Sequence, residues 1–224
     1  KGLFERYGAD VLRWWVSSLN TDNDIKVDDA YFKLAGEEYR KVRNTLRFLL
    51  GNLADFDRQN DNYALTDADQ TSIDAWALGK LEQLVGEVNE SYEKFQYRRV
   101  NEALFNFCNH TMSAVYLAAV KDRLYCDRAD HPRRRRTQSA MFLITDALIR
   151  LLAPILPHTA EEAWDALHRS VEASSIHLAL FPEPTTVRVD PHWNSVITLR
   201  DTCLKAIELT RQEQGIDNPL DCSI

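Results

Sequence analysis

The chain has 224 residues, 45% hydrophobic and 27% charged, with a net charge of −7. That length holds one large domain, or one domain and an appendage, with the composition of a soluble globular protein. The sequence pI of about 5.4 argues against bulk nucleic-acid binding through a broad basic footprint, so any such role has to rest on a local patch.

Only 7 glycines and 7 prolines punctuate the chain, which points to long helices rather than many short strands. Arginine outnumbers lysine by 19 to 8, a bias that suits geometry-specific anion contacts. Cys108, Cys126, Cys203 and Cys222 form no CxxC pair and match no zinc template, and a reducing compartment is expected. Cys108 lies in an apolar run and reads as a small core residue. No apolar run approaches the roughly 18 residues of a membrane span. No signal peptide is recognisable, so a cytoplasmic location is expected. Both ends, Lys1 without a Met and Asp221 to Ile224, are expected to be cut from something larger.

Residues 3–19 are predicted to form a short helix with Val11, Trp14, Trp15, Val16 and Leu19 as its apolar stripe. Adjacent tryptophans differ by 100° on a helix, so one of them must pack against a neighbouring segment. A loop at 20–24 leads to a brief extended piece, Ile25-Lys26-Val27, and Asp28 is the cap of a second helix over about 29–55. Gly36 marks a break or a close approach within it. A third helix is expected over about 68–95, capped by Thr66 or Asp67, with Ile73, Trp76, Ala77, Leu81, Leu84, Val85 and Val88 inside. A fourth follows Tyr97 to about Tyr125, with Val100, Leu104, Phe107, Cys108, Met112, Val115 and Leu117 on its inner side.

The run Arg133 to Arg136 reads most simply as a solvated face or loop end. A fifth helix, 137–152, places Met141, Ile144, Leu148 and Leu151 in the core. Pro154 and Pro157 end it, and Thr159 caps a sixth. His158 and Glu161 have the spacing of a metal-ligand pair but read as a helix entry. Ser174 to Leu180 is expected to be extended and Thr185 to Pro191 to be a linker. A last helix covers 192–214, with Val196, Leu199, Cys203 or Leu204, Ile207 and Leu209 on its apolar side. The fold class is therefore all-α, a helical bundle with a short extended segment and a C-terminal helix.

The stretch Tyr39 to Asp57 carries the clearest candidate site. Val42, Leu46, Leu49 and Leu53 share one helix face, and Arg40, Arg43 and Arg47 share another about 120° round. Guanidinium groups suit bidentate recognition of phosphate or a base edge. The same arginines could instead pair with carboxylates such as Glu37 and Glu38. A catalytic search returns no residues: there is no phosphate-cradling glycine loop, no GxSxG and no Cys–His constellation. His110 and Cys108 are two positions apart and do not face each other on a helix.

Several segments together resemble a known family. Tyr7-Gly8-Ala9-Asp10-Val11-Leu12-Arg13 is similar to the segment just after the KMSKS loop of class I aminoacyl-tRNA synthetases. Tyr39 to Asp57 resembles the helix that opens their anticodon-binding domain, in its isoleucyl form. Trp76 to Leu81, Arg98-Arg99-Val100, Phe105 to Cys108, Val120 to Cys126, Leu151 to Glu162 and Trp193 to Arg200 follow in the family's order. The resemblance covers essentially all 224 residues, and its motifs are specific in combination and weak singly.

The resemblance implies a helical bundle of the class I anticodon-binding type, the C-terminal part of an isoleucine–tRNA ligase. It implies a connector over 1–27, an anticodon-binding bundle over 28–182, and a linker with a junction helix over 183–224. The partners implied are the tRNA(Ile) anticodon stem and loop and the parent's own catalytic and editing domains. ATP and Mg²⁺ would serve the parent's catalytic half, and zinc only a further C-terminal module. The chain itself would carry no cofactor and be inactive alone, since no HIGH-like or KMSKS-like sequence occurs in it. The implied RNA contacts are Arg43, in the pattern Arg-Asn-Thr, with Arg40, Asn44 and Arg47 beside it. Lys121 and Arg123 on the fourth helix are a weaker carry-over. Unstacked anticodon bases can meet guanidinium planes, amides and aromatics. A valyl- or leucyl-type domain, or a helical protein-interaction scaffold, remains the alternative.

Overall fold

A computed structural model describes residues 2–20, 25, 27–58, 63, 69–168, 174–184, 187–215 and 218. Among these residues the chain is helical, without a strand. Helix α1 is Gly2–Tyr7, α2 is Ala9–Ser17 and α3 is Asp29–Asn52. Helix α4 is Ile73–Glu93, α5 is Tyr97–Asn106, and α6 is Leu117–Tyr125. Then come α7, Pro132–Leu152, α8, Pro157–His168, and α9, Trp193–Gln214. No described helix is long and apolar enough to cross a membrane.

The apolar stripes read from periodicity are the core. Val42, Leu46, Leu49 and Leu53 of α3 meet Leu81, Leu84 and Val88 of α4, Leu104 and Met112 of the next rod, and Met141, Ile144 and Leu148 of α7 in one cluster. Trp14 is fully buried there, and Trp15 turns to the Phe32 ring, 4.6 Å between centroids. Asp28 caps α3 by accepting from the Ala30 N–H at 3.0 Å. Gly36 makes no break; a Cβ there would meet Val11 Cγ1 at 4.0 Å, so it is a point of close approach between α2 and α3.

Several boundaries differ from those expected, each for a local reason. The first helix is two, because Gly8 at φ +82 turns the chain between them. The third helix starts at Ile73 rather than near 68, with the Ser72 side chain accepting from the Ala75 N–H. Thr66 and Asp67, the expected caps, lie outside the described residues, as does Lys26 of the expected extended piece. Ser174 to Leu180 is not extended: it holds a 3-10 turn at Ile176–Leu178, with the Ser175 hydroxyl accepting from the His177 N–H.

Thr159 does not cap α8, which begins at Pro157. The cap comes from α2: Asp10 Oδ2 accepts from the Thr159 N–H at 2.8 Å and its hydroxyl at 2.6 Å. That carboxylate sits where the helix dipole and the free N–H groups both favour an anion.

The rod from Tyr97 to Tyr125 is continuous, but Phe107–Tyr116 is π-helical. The sequence shows why. Leu104, Cys108, Met112 and Tyr116, all fully buried, recur every four residues. At 100° per residue that spacing would drift about 40° per step and swing Tyr116 about 120° off the core. The looser π-winding keeps the four in line.

The four arginines at 133–136 are not a solvated face. They form the first turn of α7, where the helix dipole disfavours cations, and each is held by a carboxylate. Arg133 pairs with Asp127 at 2.7 Å, Arg134 with Asp55 at 2.7 Å and Arg136 with Asp69 at 2.8 Å. Arg135 donates to the Asp55 backbone oxygen at 2.8 Å and lies 3.5 Å from its carboxylate. With side chains only 18% and 12% exposed, Arg134 and Arg135 bind α7 to the end of α3.

Candidate nucleic-acid interface

Helix α3 runs 24 residues, about 36 Å at 1.5 Å per residue. Its first half packs on α2; its second half carries the candidate arginines. Arg40, Arg43, Asn44 and Arg47 are all exposed, as the face geometry requires. Their partners differ. Arg40 Nη1 donates to both Glu37 carboxylate oxygens at 2.9 Å. Arg43 Nη2 reaches Glu162 of α8 at only 3.3–3.4 Å. Glu38 is taken by the Trp14 indole N–H at 3.2 Å and pairs with no arginine. Arg47 makes no ion pair or hydrogen bond among the described residues.

Asn44, Arg47, Phe48, Gly51, Asn52 and Tyr125 line a groove of about 390 Å³ between the end of α3 and the end of α6. Tyr125 stands 64% exposed at its edge. Lys121 lies one turn before Tyr125 on the same face of α6 and is exposed. The groove therefore combines an unpaired guanidinium, an amide, an aromatic ring and a nearby ammonium. That is the equipment for stacking an unpaired base and holding the phosphate beside it.

Arg123 points elsewhere. Its Nη1 donates to Asp74 Oδ2 at 3.0 Å and to Thr137 Oγ1 at 3.3 Å. Asp74 also accepts from the Tyr116 hydroxyl at 2.8 Å and from Thr137 Oγ1 at 3.2 Å. Burial, then the Asp74 charge, holds the Tyr116 hydroxyl well above its usual range. Arg123 is thus a fastening between α4, α6 and α7 and does not enter the groove. Cys108 is the core residue expected, its thiol pushed up to about 12 by burial. Among the described residues no group of three or more His, Cys, Asp or Glu is placed to hold a metal ion.

Tyr125 is the groove residue that sequence reasoning missed. The available signal was an aromatic one helical turn beyond Lys121, at the exposed end of a helix.

This bundle, with an arginine face on its first long helix, belongs to a family of RNA-binding domains of known type. Residues 74–224 match the family model of the anticodon-binding domain of tRNA ligases, and the chain belongs to that family. Within it, the chain is similar from end to end to isoleucine–tRNA ligases. It is 38% identical over 230 residues to that of Desulfotalea psychrophila, across 99% of this chain. It is 40% identical over 228 residues to that of Bacillus mycoides, across 100% of this chain. In both cases it spans only 24% of the relative's length. The valyl or leucyl and scaffold alternatives are not favoured by these matches. Two solved structures share the fold. They are the Agrobacterium radiobacter LeuRS–tRNA–LeuAMS ternary complex (TM-score 0.57, 19% identity, 82% of this chain and 20% of that one) and the apo form of Mycobacterium tuberculosis methionyl-tRNA synthetase (TM-score 0.60, 18% identity, 85% and 41%).

Proposed function

We propose that this chain is the anticodon-arm-binding part of an isoleucine–tRNA ligase, whose whole polypeptide charges tRNA(Ile) with isoleucine using ATP and Mg²⁺ in the cytoplasm. Its own role is positioning: it holds the anticodon arm while chemistry proceeds at a site outside these residues. The groove at Asn44, Arg47 and Tyr125 takes an unstacked anticodon-loop base between ring and guanidinium. Lys121, Arg40 and Arg43 hold phosphates. The exposed pairs of Arg40 with Glu37 and Arg43 with Glu162 exchange for phosphate at little cost, since such pairs contribute little in water. The observation that carries the reading is the unpaired Arg47 guanidinium beside the exposed Tyr125 ring, in a family of anticodon-binding domains.

The test is a titration of labelled tRNA(Ile) anticodon stem-loop at several salt concentrations. Affinity falls as salt rises. Arg47→Ala weakens binding and flattens the salt slope by about one unit. Tyr125→Ala costs about 1–3 kcal/mol, the usual worth of a base–aromatic stack. Binding indifferent to salt and to both substitutions removes the groove as the RNA site. The chain alone forms no isoleucyl-adenylate; its appearance with isoleucine and ATP would contradict the positioning role.

A further inference from the structure

A second, larger groove lies at the other end of the molecule. It has a volume of about 980 Å³ and is bounded by α1, α2, the turn from α4 into α5, and Pro154-Ile155. Its surface is apolar: Phe4 is 63% exposed, Val16 56% and Phe95 76%, with Tyr97 beside them. Phe95 is doubly unfavourable for folding alone. It exposes a large ring, and at φ +57 it is the one non-glycine residue with positive φ among those described. A costly backbone conformation that holds out an apolar side chain points to something for that side chain to meet.

The charges around this groove separate it from the Arg47 groove. Arg13 donates to the Ile155 and Pro154 backbone oxygens at 2.9 and 2.7 Å. Arg98 pairs with Glu102 at 2.8 Å and Arg99 with Glu87 at 3.2 Å. Every arginine lining it is already engaged, so it offers apolar area and no spare cation. That suits a protein surface rather than a phosphate backbone.

We propose that this groove seats the polypeptide that precedes Gly2 in the longer ligase, with Phe95 as the anchoring side chain. The proposal rests on the reading above, in which these residues are part of a longer enzyme. The relatives matched from end to end are some four times as long, this chain spanning 24% of them. Helix α1, through Phe4, is itself a wall of the groove, so preceding polypeptide arrives there already tethered and at high effective concentration. The two grooves are joined by α3: Leu34, beside α2, and Arg47 are 13 residues apart, about 20 Å along one rigid helix. Docking at one end thus sets the distance at which the anticodon arm is held at the other.

The experiment places a benzoylphenylalanine photocrosslinker at position 95 of the full-length polypeptide containing these residues, with and without tRNA(Ile). The expected product is an intramolecular crosslink to residues before Gly2, with a yield that drops severalfold on Val16→Asp. Crosslinks to a second copy, to tRNA, or only within residues 2–215 overturn the proposal. Because the crosslink at position 95 alone decides the partner, misfolding of the Val16→Asp protein does not leave it open. Anticodon stem-loop affinity is measured on the same preparation, and its loss would instead implicate the RNA-binding reading.

Discussion

Arg123 on α6 and Asp74 on α4 lie 49 positions apart in sequence and 3.0 Å apart in space, with the Asp74 side chain 2% exposed. Removing one partner of such a pair leaves a buried charge without compensation. Arg123→Met is expected to cost about 3 kcal/mol, the lower end for breaking a buried pair, because the arginine is itself partly exposed. Urea unfolding measures this. The folded fraction should bind anticodon stem-loop as wild type does, whereas Arg47→Ala should leave unfolding unchanged and weaken binding. Equal loss of RNA affinity in both variants would place Arg123 in the interface after all.

What was legible in the sequence follows the range of the forces involved. The stripe Val42, Leu46, Leu49 and Leu53 was readable because helix periodicity is local. The Asp28 cap was readable because a cap and its N–H lie two residues apart. Asp10 capping α8 was not, because its partner Thr159 is 149 positions away and no local pattern announces it. The arginine run misled for the same reason: its carboxylates are Asp55, Asp69 and Asp127, on three other segments. At the candidate site the arginine face was visible, but which arginine stays unpaired depended on Glu37 and Glu162. Tyr125 entered only when α6 was seen to end beside α3.

Asp10 fastens the first 20 residues to the bundle. It accepts two hydrogen bonds from Thr159, whose hydroxyl lies 2.9 Å from that of Tyr39. Its other oxygen, Oδ1, is buried without a hydrogen-bond partner. Asp10→Ala orphans a buried N–H and a hydroxyl, and should cost about 2 kcal/mol. For a chain of this size that lowers Tm by roughly 4–8 °C. Asp10→Asn keeps an acceptor oxygen and should retain most of the stability. A thermal melt unchanged by Asp10→Ala would show that the cap contributes nothing.

His168 gives the fold a pH dependence of definite sign. Its ring lies 3.9 Å from that of Trp164 and meets Phe142 edge-on. Burial lowers its pKa, opposed by Asp146 at 3.2 Å and assisted by Arg150 and Arg58. The unfolded imidazole titrates near its ordinary value, so it takes up a proton before the folded one does. Stability is therefore full above about pH 6.5 and falls as pH drops toward the lower folded value. His168→Gln should lose less stability than wild type between neutral and mildly acidic pH, by urea midpoint. Equal losses would assign the effect to the other histidines.

Gly79 lies where the 187–192 segment crosses α4. A Cβ at that position would stand 2.5 Å from Val189 Cγ2, closer than carbon atoms tolerate. The segment is otherwise held by the Asp190 N–H donating to the Gln70 backbone oxygen at 3.0 Å, and by the Trp76 and Trp193 rings, 5.9 Å apart. Gly79→Ala must therefore lift Val189 away and pull on the entry to α9. Overpacking of this kind costs about 1–3 kcal/mol. Separation of the two indoles should change the near-UV circular dichroism along with the melting temperature. Adding Val189→Ala removes the offending methyl and should restore both signals most of the way. If the single variant melts as wild type does and keeps its tryptophan signal, the segment is not held against Gly79 in solution.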